Sequence, residues 1–425
     1  MAAMNMTKEE HSMLDGAQGE GVRRAMEIVV ALGTIYGAQD LVPVSHVQVS
    51  GVSYKNLGDA GLEFLRDWAA QGARVRVPTT LNPAGMDLRH WRELGFPPDF
   101  AMQQQAVLDA FSAMCIETTC TCTPYLVSYV PRLGDHIAWG ESSAISYANS
   151  ALGARTNREG GPGALAAAIT GRTARYGLHL DENRIPTHLV DVRCPIHSES
   201  DWGALGYIVG KRVANGVPYL RGLDPAACDV TSLKALGAAM AASGAVALYH
   251  VEGVTPEATN LLPPIWNFKG QEIVIVGLEE GYEALNTQSA VGTIDLVWIG
   301  CPHASLDEIE SIAGRLVGRH VRSALWITAA HQVREEAESR GLVTRLESSG
   351  GRIVSDTCLV VAPVEALGFR SIATNSGKGA FYGPSHAHVA VRFGSLDQCL
   401  EAALTGEWEM TDERAGLGTV SESMS

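Results

Sequence analysis

Eight cysteines are the residues of this chain best suited to chemistry. Cys301 follows the apolar run Asp295–Ile299 through Gly300, and Pro302 and His303 come next. Ser305 and Glu308 then make an S-x-x-E capping box that opens a helix. A thiol between a strand end and a helix N-terminus is expected to favour the thiolate, the form that binds metal. Cys358 closes Ser355-Asp356-Thr357-Cys358, inside or at the end of another apolar run. Cys122 lies in Thr119-Cys120-Thr121-Cys122-Thr123-Pro124-Tyr125, a threonine-rich turn stiffened by Pro124. The competing reading of each is a small buried hydrophobe. Cys115, Cys194, Cys228 and Cys399 keep that reading, although Cys194 has Pro195 and His197 beside it. Paired C-x-x-C zinc spacing is absent, and Cys120-x-Cys122 alone defines no site. Spacing therefore allows metal binding without requiring it. Three widely separated thiols would leave open the position that a catalytic metal needs for substrate.

Polar loops supply the other candidates. The densest runs from Gly153 to Gly163, holding Arg155, Asn157 and Arg158, and leads into the Ala-rich helix Ala164–Thr170. A glycine-rich helix entry presents free N–H groups, and arginines grip carboxylate or phosphate in bidentate fashion. Thr374-Asn375-Ser376-Gly377-Lys378 is a second anion cradle with a point charge at Lys378. Ser50-Gly51-Val52-Ser53-Tyr54 and Thr79-Thr80-Leu81-Asn82-Pro83 are strand-end loops rich in hydroxyls and amides. His250 reads as a core histidine. Gly140-Glu141-Ser142-Ser143-Ala144 approximates a nucleophile elbow with Ala144 in place of the last glycine, so a serine hydrolase built on Ser142 is a competing reading.

These groups need a scaffold. The pattern predicts helices over Glu20–Leu32, Leu62–Gln71, Leu306–Val317, Val333–Ser339 and Leu396–Leu404. Strands are expected at Leu41–Val49, Ala73–Val77, Glu272–Leu278, Asp295–Ile299, Ala324–Thr328 and Arg352–Val361. Ala235–Val251 reads as a buried helix, a turn and a strand. Strands alternating with helices imply an α/β fold with mostly parallel, doubly wound sheets. Ligands in such sheets bind beyond the carboxyl ends of the strands, where these loops lie. We expect an N-terminal part over 1–230, a C-terminal part over 231–408 carrying two of the three cysteines, and a polar, disordered tail over 409–425.

The chain has 425 residues and is 46% hydrophobic, enough for a large core. Its net charge of −15 argues against nucleic acid and anionic membrane as partners. No export signal or membrane span is evident, which points to a cytoplasmic, reducing setting where cysteines bind metal, react or fill space.

The segments Cys-Thr-Pro-Tyr at 122–125, Gly-Glu-Ser-Ser-Ala at 140–144, Gly-Ala-Arg-Thr-Asn-Arg-Glu-Gly-Gly-Pro at 153–162, Gly-Cys-Pro-His at 300–303 and Asp-Thr-Cys at 356–358 together resemble the aconitase X family. Ser-Gly-Val-Ser at 50–53, Thr-Thr-Leu-Asn-Pro at 79–83 and Ser-Gly-Lys at 376–378 match as well, and the resemblance runs from about residue 7 to 405. It implies an aconitase-like, multi-layer α/β/α catalytic core and an iron–sulfur dehydratase. It implies that Cys122, Cys301 and Cys358 hold the metal centre, with a 4Fe–4S cluster, a 2Fe–2S cluster or a single iron all compatible. Candidate substrate-binding residues are Ser53, Thr80, Asn82, Ser142, Ser143, Asn149, Arg155, Asn157, Arg158 and Lys378. Single-chain members carry a further C-terminal swivelling domain with a catalytic serine. The chain ends at Ser425 without it, so the resemblance is to the large subunit of the two-subunit type, completed by a small swivelling subunit that would carry the base.

The expected reaction is removal of water from a small hydroxy acid. Family members dehydrate cis-3-hydroxy-L-proline to Δ1-pyrroline-2-carboxylate, or mevalonate 5-phosphate to anhydromevalonate phosphate. High alanine and 19% charged residues do not suggest a hyperthermophile, which leans the expectation toward cis-3-hydroxy-L-proline. From another class, a non-catalytic iron-sensing regulator is the alternative, since some aconitase relatives bind RNA; the acidic surface speaks against it.

Overall fold

The structure is a computed structural model that describes residues 4–260, 268, 270–287 and 292–409. Its strands are β1 (Leu41–Pro43), β2 (Val47–Val49), β3 (Thr79–Leu81), β4 (Ala138–Trp139), β5 (Arg172–Ala174), β6 (His188–Val192), β7 (Pro218–Arg221), β8 (His250–Val251), β9 (Gln271–Ile275), β10 (Leu296–Ile299), β11 (Ala324–Ala329), β12 (Gly351–Ser355), β13 (Ser371–Thr374) and β14 (Ala390–Phe393).

Three sheets are wholly parallel, in the orders β3-β2-β4, β8-β7-β6-β9 and β12-β11-β10-β13-β14. Only β1 and β5 pair antiparallel among the described strands. The α/β architecture expected from the alternation is thus observed. In the five-stranded sheet the winding reverses between β10 and β13, and in the first sheet it reverses at β2. Crevices for ligands open at the carboxyl ends of strands beside such reversals. Cys301 and Lys378 follow β10 and β13, while Asn82 and Glu141 follow β3 and β4.

The four-stranded sheet draws β6 and β7 from before residue 230 and β8 and β9 from after it. The helices beside it, Glu199–Val213 and Val230–Gly244, approach until their backbones touch. A Cβ on Gly244 would lie 1.9 Å from the Gly210 carbonyl oxygen and one on Gly206 2.5 Å from that of Leu236. This contact lets the two helices deliver Glu199 and Lys234 to one place. Among the described residues no helix is long and apolar enough to cross a membrane.

Some expected boundaries move. The run Leu41–Val49 is two strands in two sheets, because Pro43 has no N–H and the next two residues donate to Gly171 and His136. Ala73–Val77 is not a strand: its N–H groups go to Trp68, Met114 and Ala168 at helix ends. The strand expected over Arg352–Val361 stops at Ser355, since Asp356 takes a left-handed φ of 64° and turns the chain away. The helix expected at Leu62–Gln71 is preceded by a turn that starts at Tyr54, capped by Ser53, and joins it through a kink at Gly58, where φ is 58°. The tail expected to be disordered lies, from residue 410 on, outside the described residues.

Candidate active site

The loops that carry Cys122, Cys301 and Cys358 meet around one imidazole. Gly300 turns the chain out of β10 at a φ of 92°, where a Cβ would lie 2.3 Å from the Thr328 carbonyl oxygen. This forces Cys301 inward, and its carbonyl accepts from Ser376 Oγ. Two residues on, the His303 N–H donates to Cys122 Sγ at 3.2 Å. Its Nδ1 lies 3.0 Å from Thr121 Oγ1 and its Nε2 2.8 Å from the Thr357 carbonyl oxygen. Lys234 Nζ donates to the His303 carbonyl at 3.3 Å and pairs with Glu308 at 2.6 Å. The left-handed turn before Cys358 is held by His331 on the Asp356 carboxylate at 2.7 Å and by the Ala84 N–H on the Asp356 carbonyl at 2.7 Å.

All three thiols are buried. Burial pushes Cys122 up to about 12, with the nearby Glu141 carboxylate adding to it and Lys378 opposing. Burial likewise raises Cys301 against the pull of Lys378, and raises Cys358 well above the usual thiol range with Cys301 and Cys122 adding to it. Burial thus opposes the thiolate expected at Cys301, and loading a metal must displace the proton.

Three buried thiols on converging loops are the donor chemistry of iron–sulfur groups and other thiophilic metals. Around them Asn82 Oδ1, Thr357 Oγ1 and Asn375 Oδ1 are buried and meet no partner among the described residues. Such atoms are uncommon in folded proteins, and these three lie on or beside the loops that carry the thiols and the ion pair described below. Among the described residues no group of three or more His, Cys, Asp or Glu is arranged to hold a metal ion as the chain stands. The donor types of these thiols are those of an iron–sulfur group, and the unsatisfied acceptors suit hydroxyl or N–H donors of a small molecule.

Beside the thiols sits a buried ion pair. Glu141 leaves β4 through Gly140, where a Cβ would meet Ser50 Oγ at 2.5 Å, and it caps the helix Ser142–Ser150. Its carboxylate accepts from Ser143 N–H at 3.3 Å, Ser143 Oγ at 3.1 Å, Ser142 Oγ at 3.3 Å and Asn82 Nδ2 at 2.9 Å, and it pairs with Lys378. Burial opposes its ionisation, but Lys378 and these donors overcome burial and hold it at about 2. Lys378 also donates to Ser143 Oγ at 3.3 Å. Burial works against its charge, yet Glu141 keeps it cationic.

A second acid differs. Glu199 accepts from Asn375 Nδ2 at 2.8 Å. Burial and then the Glu308 carboxylate push it up to about 8, against Lys234 and the Asn375 hydrogen bond, so it is protonated at neutral pH. A carboxyl raised on folding contributes stability below its unfolded value of 4.5 and loses that contribution as pH climbs through about 8. Glu199→Gln is expected to keep the Asn375 bond and flatten this slope, so that the variant is more stable than the parent above pH 8. Denaturant melts from pH 5 to 9 check it, and an unchanged slope in the variant would sink the assignment.

The other expected site residues have other partners. Ser53 Oγ donates to the Val361 carbonyl at 2.8 Å and caps a helix. Thr80 is buried on β3 with an unpartnered Oγ1. Asn149 bonds Thr156, Ala247 and the buried Arg184. Asn157 bonds Tyr176 and Leu178, and Arg155 bonds the His179 carbonyl and Asp181. Arg158 is exposed on a cavity of about 270 Å³ with the stacked pair Tyr36 and Tyr176. None of these six bonds to the Glu141–Lys378 pair, whereas Asn82, Ser142, Ser143 and Lys378 form it. Ser142 donates to an anionic carboxylate and has no histidine on it, which removes the elbow reading. His250 is a core histidine bonded to the Arg184 carbonyl. Of the four cysteines read as core, Cys399 is buried, Cys194 and Cys228 are half-buried, and Cys115 is exposed on a left-handed residue after a helix end, which corrects that reading.

Glu141, His303, Thr121 and Glu199 were not among the expected site residues. Glu141 and His303 stand inside segments already picked out, each one to four residues past a strand end. A carboxylate or imidazole there is a usable signal. Glu199 is visible only through its partners.

A buried thiol cluster beside a fixed cation, on strand-end loops at sheet reversals, is a setting suited to a dehydratase of the aconitase type. The comparisons agree. Residues 3–182, 186–284 and 294–405 match the aconitase X first, second and third domains. The chain is 49% identical to the phosphomevalonate dehydratase large subunit of Methanocaldococcus jannaschii, over 94% of this chain and 100% of that one. It is 53% identical to that of Methanothermobacter thermautotrophicus, over 89% and 94%. The cis-3-hydroxy-L-proline dehydratase of Pseudomonas aeruginosa is 38% identical, over 93% of this chain and 69% of that one. The crystal structure of Thermococcus kodakaraensis aconitase X in its holo-form superposes with a TM-score of 0.86 at 47% identity, covering 94% and 100%. The chain belongs to the aconitase X family and is a dehydratase, a hydro-lyase.

Proposed function

We propose that this chain is the large subunit of a phosphomevalonate dehydratase, converting mevalonate 5-phosphate to anhydromevalonate phosphate with a small subunit. The observation that carries this is the pattern of relatives. Large subunits of that name match at 49% and 53% over 94% or more of their length, against 38% over 69% for a cis-3-hydroxy-L-proline dehydratase. This favours mevalonate 5-phosphate over the cis-3-hydroxy-L-proline expected from composition.

The residues support the chemistry as follows. An iron–sulfur group held by Cys122, Cys301 and Cys358 supplies, when bound, a Lewis acid for the departing hydroxyl. Lys378 spends one N–H on Glu141 and another on Ser143, and its third is free to take the substrate carboxylate. Its charge, kept by Glu141, stabilises the negative charge that grows on that carboxylate as the neighbouring proton leaves. Asn82 keeps Glu141 in place with its Nδ2 and offers an unpartnered Oδ1 to a substrate hydroxyl. The base is assigned to the small subunit, whose closure excludes water from the site.

The test is anaerobic incubation of the iron-loaded two-subunit complex with each compound, read by mass spectrometry. Mevalonate 5-phosphate is expected to lose water with kcat/KM at least about a hundredfold above that for cis-3-hydroxy-L-proline, as expected of a site built on polar contacts. Turnover of cis-3-hydroxy-L-proline alone would overturn the assignment.

A further inference from the structure

His303 touches every loop of the thiol cluster and is itself neither a thiol nor part of the Glu141–Lys378 pair. A carbonyl oxygen only accepts, so Nε2 must carry the proton donated to Thr357. Nδ1 then accepts from the Thr121 hydroxyl. Thr121 Oγ1 has donated its single proton and accepts from the Thr123 N–H at 3.1 Å and from the Thr123 hydroxyl at 3.2 Å. One tautomer satisfies the whole network. Through it the ring ties the residue before Cys122 to the residue before Cys358, and its backbone sits two residues after Cys301. Its N–H reaches Cys122 Sγ and its carbonyl is held by Lys234. The ring is fully buried, so no water substitutes for these bonds.

We infer that His303 is a positioning residue that sets the spacing of the three thiols before metal arrives, through the hydrogen bonds of its ring to Thr121 and Thr357. This rests on the reading of Cys122, Cys301 and Cys358 as the metal-binding thiols. Partners that orient metal ligands in this way are typically worth ten- to a hundredfold in metal affinity.

The test is titration of the reduced full chain with Cd²⁺, followed by thiolate-to-metal absorption in the ultraviolet. Cd²⁺ binds thiolates without redox chemistry or sulfide. His303→Phe fills the volume without the bonds and is expected to weaken Cd²⁺ binding at least about tenfold. His303→Gln, whose amide reaches Thr357 as Nε2 does but leaves Thr121 unbonded, is expected to bind more tightly than His303→Phe and less tightly than the parent, which a packing role does not predict. Thr121→Val, which removes only a hydroxyl, is expected to weaken binding in the same direction and serves if the histidine variants fail to fold. Cys301→Ser is the control for the thiol reading. If Cys301→Ser binds Cd²⁺ like the parent, that reading fails. If Cys301→Ser loses binding while His303→Phe and Thr121→Val keep it, the inference about His303 fails by itself.

Discussion

Lys378→Met is expected to reduce dehydratase kcat/KM by at least about a thousandfold, since a preorganised cation facing developing charge typically contributes this much. The substitution keeps the stem and removes the charge. It also strands Glu141, a carboxylate kept ionised by Lys378 in a buried setting. Breaking a buried pair on one side costs about 3–5 kcal/mol, unless the remaining acid takes a proton. The two effects separate with pH. Glu141 is depressed to about 2 from 4.5, so its contribution is present above 4.5 and lost as pH falls through about 2. That shift is worth about 3 kcal/mol at neutral pH. Lys378→Met should lack this acid-side loss, and Lys378→Met with Glu141→Gln should recover stability without recovering activity. Arginine is not a conservative exchange here, because a planar fork does not replace a point charge between Glu141 and Ser143. Wild-type kcat/KM in Lys378→Met would remove the pair from the active site.

Cys301→Ser should abolish turnover and iron retention together, a loss of about 10³-fold or more, with apparent Tm lowered by only a few degrees, since serine nearly matches cysteine in size. Serine at Cys122 or Cys358 should behave alike, because the three thiols act as one donor set. Cys115→Ser, at an exposed cysteine, should leave iron and activity untouched. Iron and sulfide counts on anaerobically purified protein, with absorption spectra, make the measurement. A Cys301→Ser protein that retained iron and turnover would show that these thiols are core fillers after all.

The last third of the fold was the most legible in the sequence. β10 and β11 and the helices Leu306–Arg315 and Leu396–Thr405 fall within two residues of their expected limits. Strands buried on both faces read as unbroken apolar runs, and Ser305 and Ser395 announce their helices through capping boxes. The first third misled because its strands have two or three residues, too short for a pattern, and Ala73–Val77 is apolar while bonding to helix ends. At the site, the resemblance singled out Cys122, Cys301 and Cys358, which spacing could not separate from Cys120 or Cys399. Lys378 was legible as a charge in a glycine-rich loop. The partners that give these residues their character were not. Glu141 becomes an anion because of Lys378, and His303 becomes a junction because of Thr121 and Thr357. Pairings between remote segments leave no periodic trace.

Those remote pairings also give the site an order of appearance. Thr121 and His303 are 182 residues apart, Glu141 and Lys378 237, Asp87 and Ser355 268, and Ser53 and Val361 308. At ribosomal speeds Glu141 waits roughly 10–50 s for Lys378 to be made. Cys122 spends that interval without the loops that later enclose it. The crevice is therefore closed only once residue 378 has left the ribosome, and until then Glu141 and Cys122 stand without the loops that make them a site.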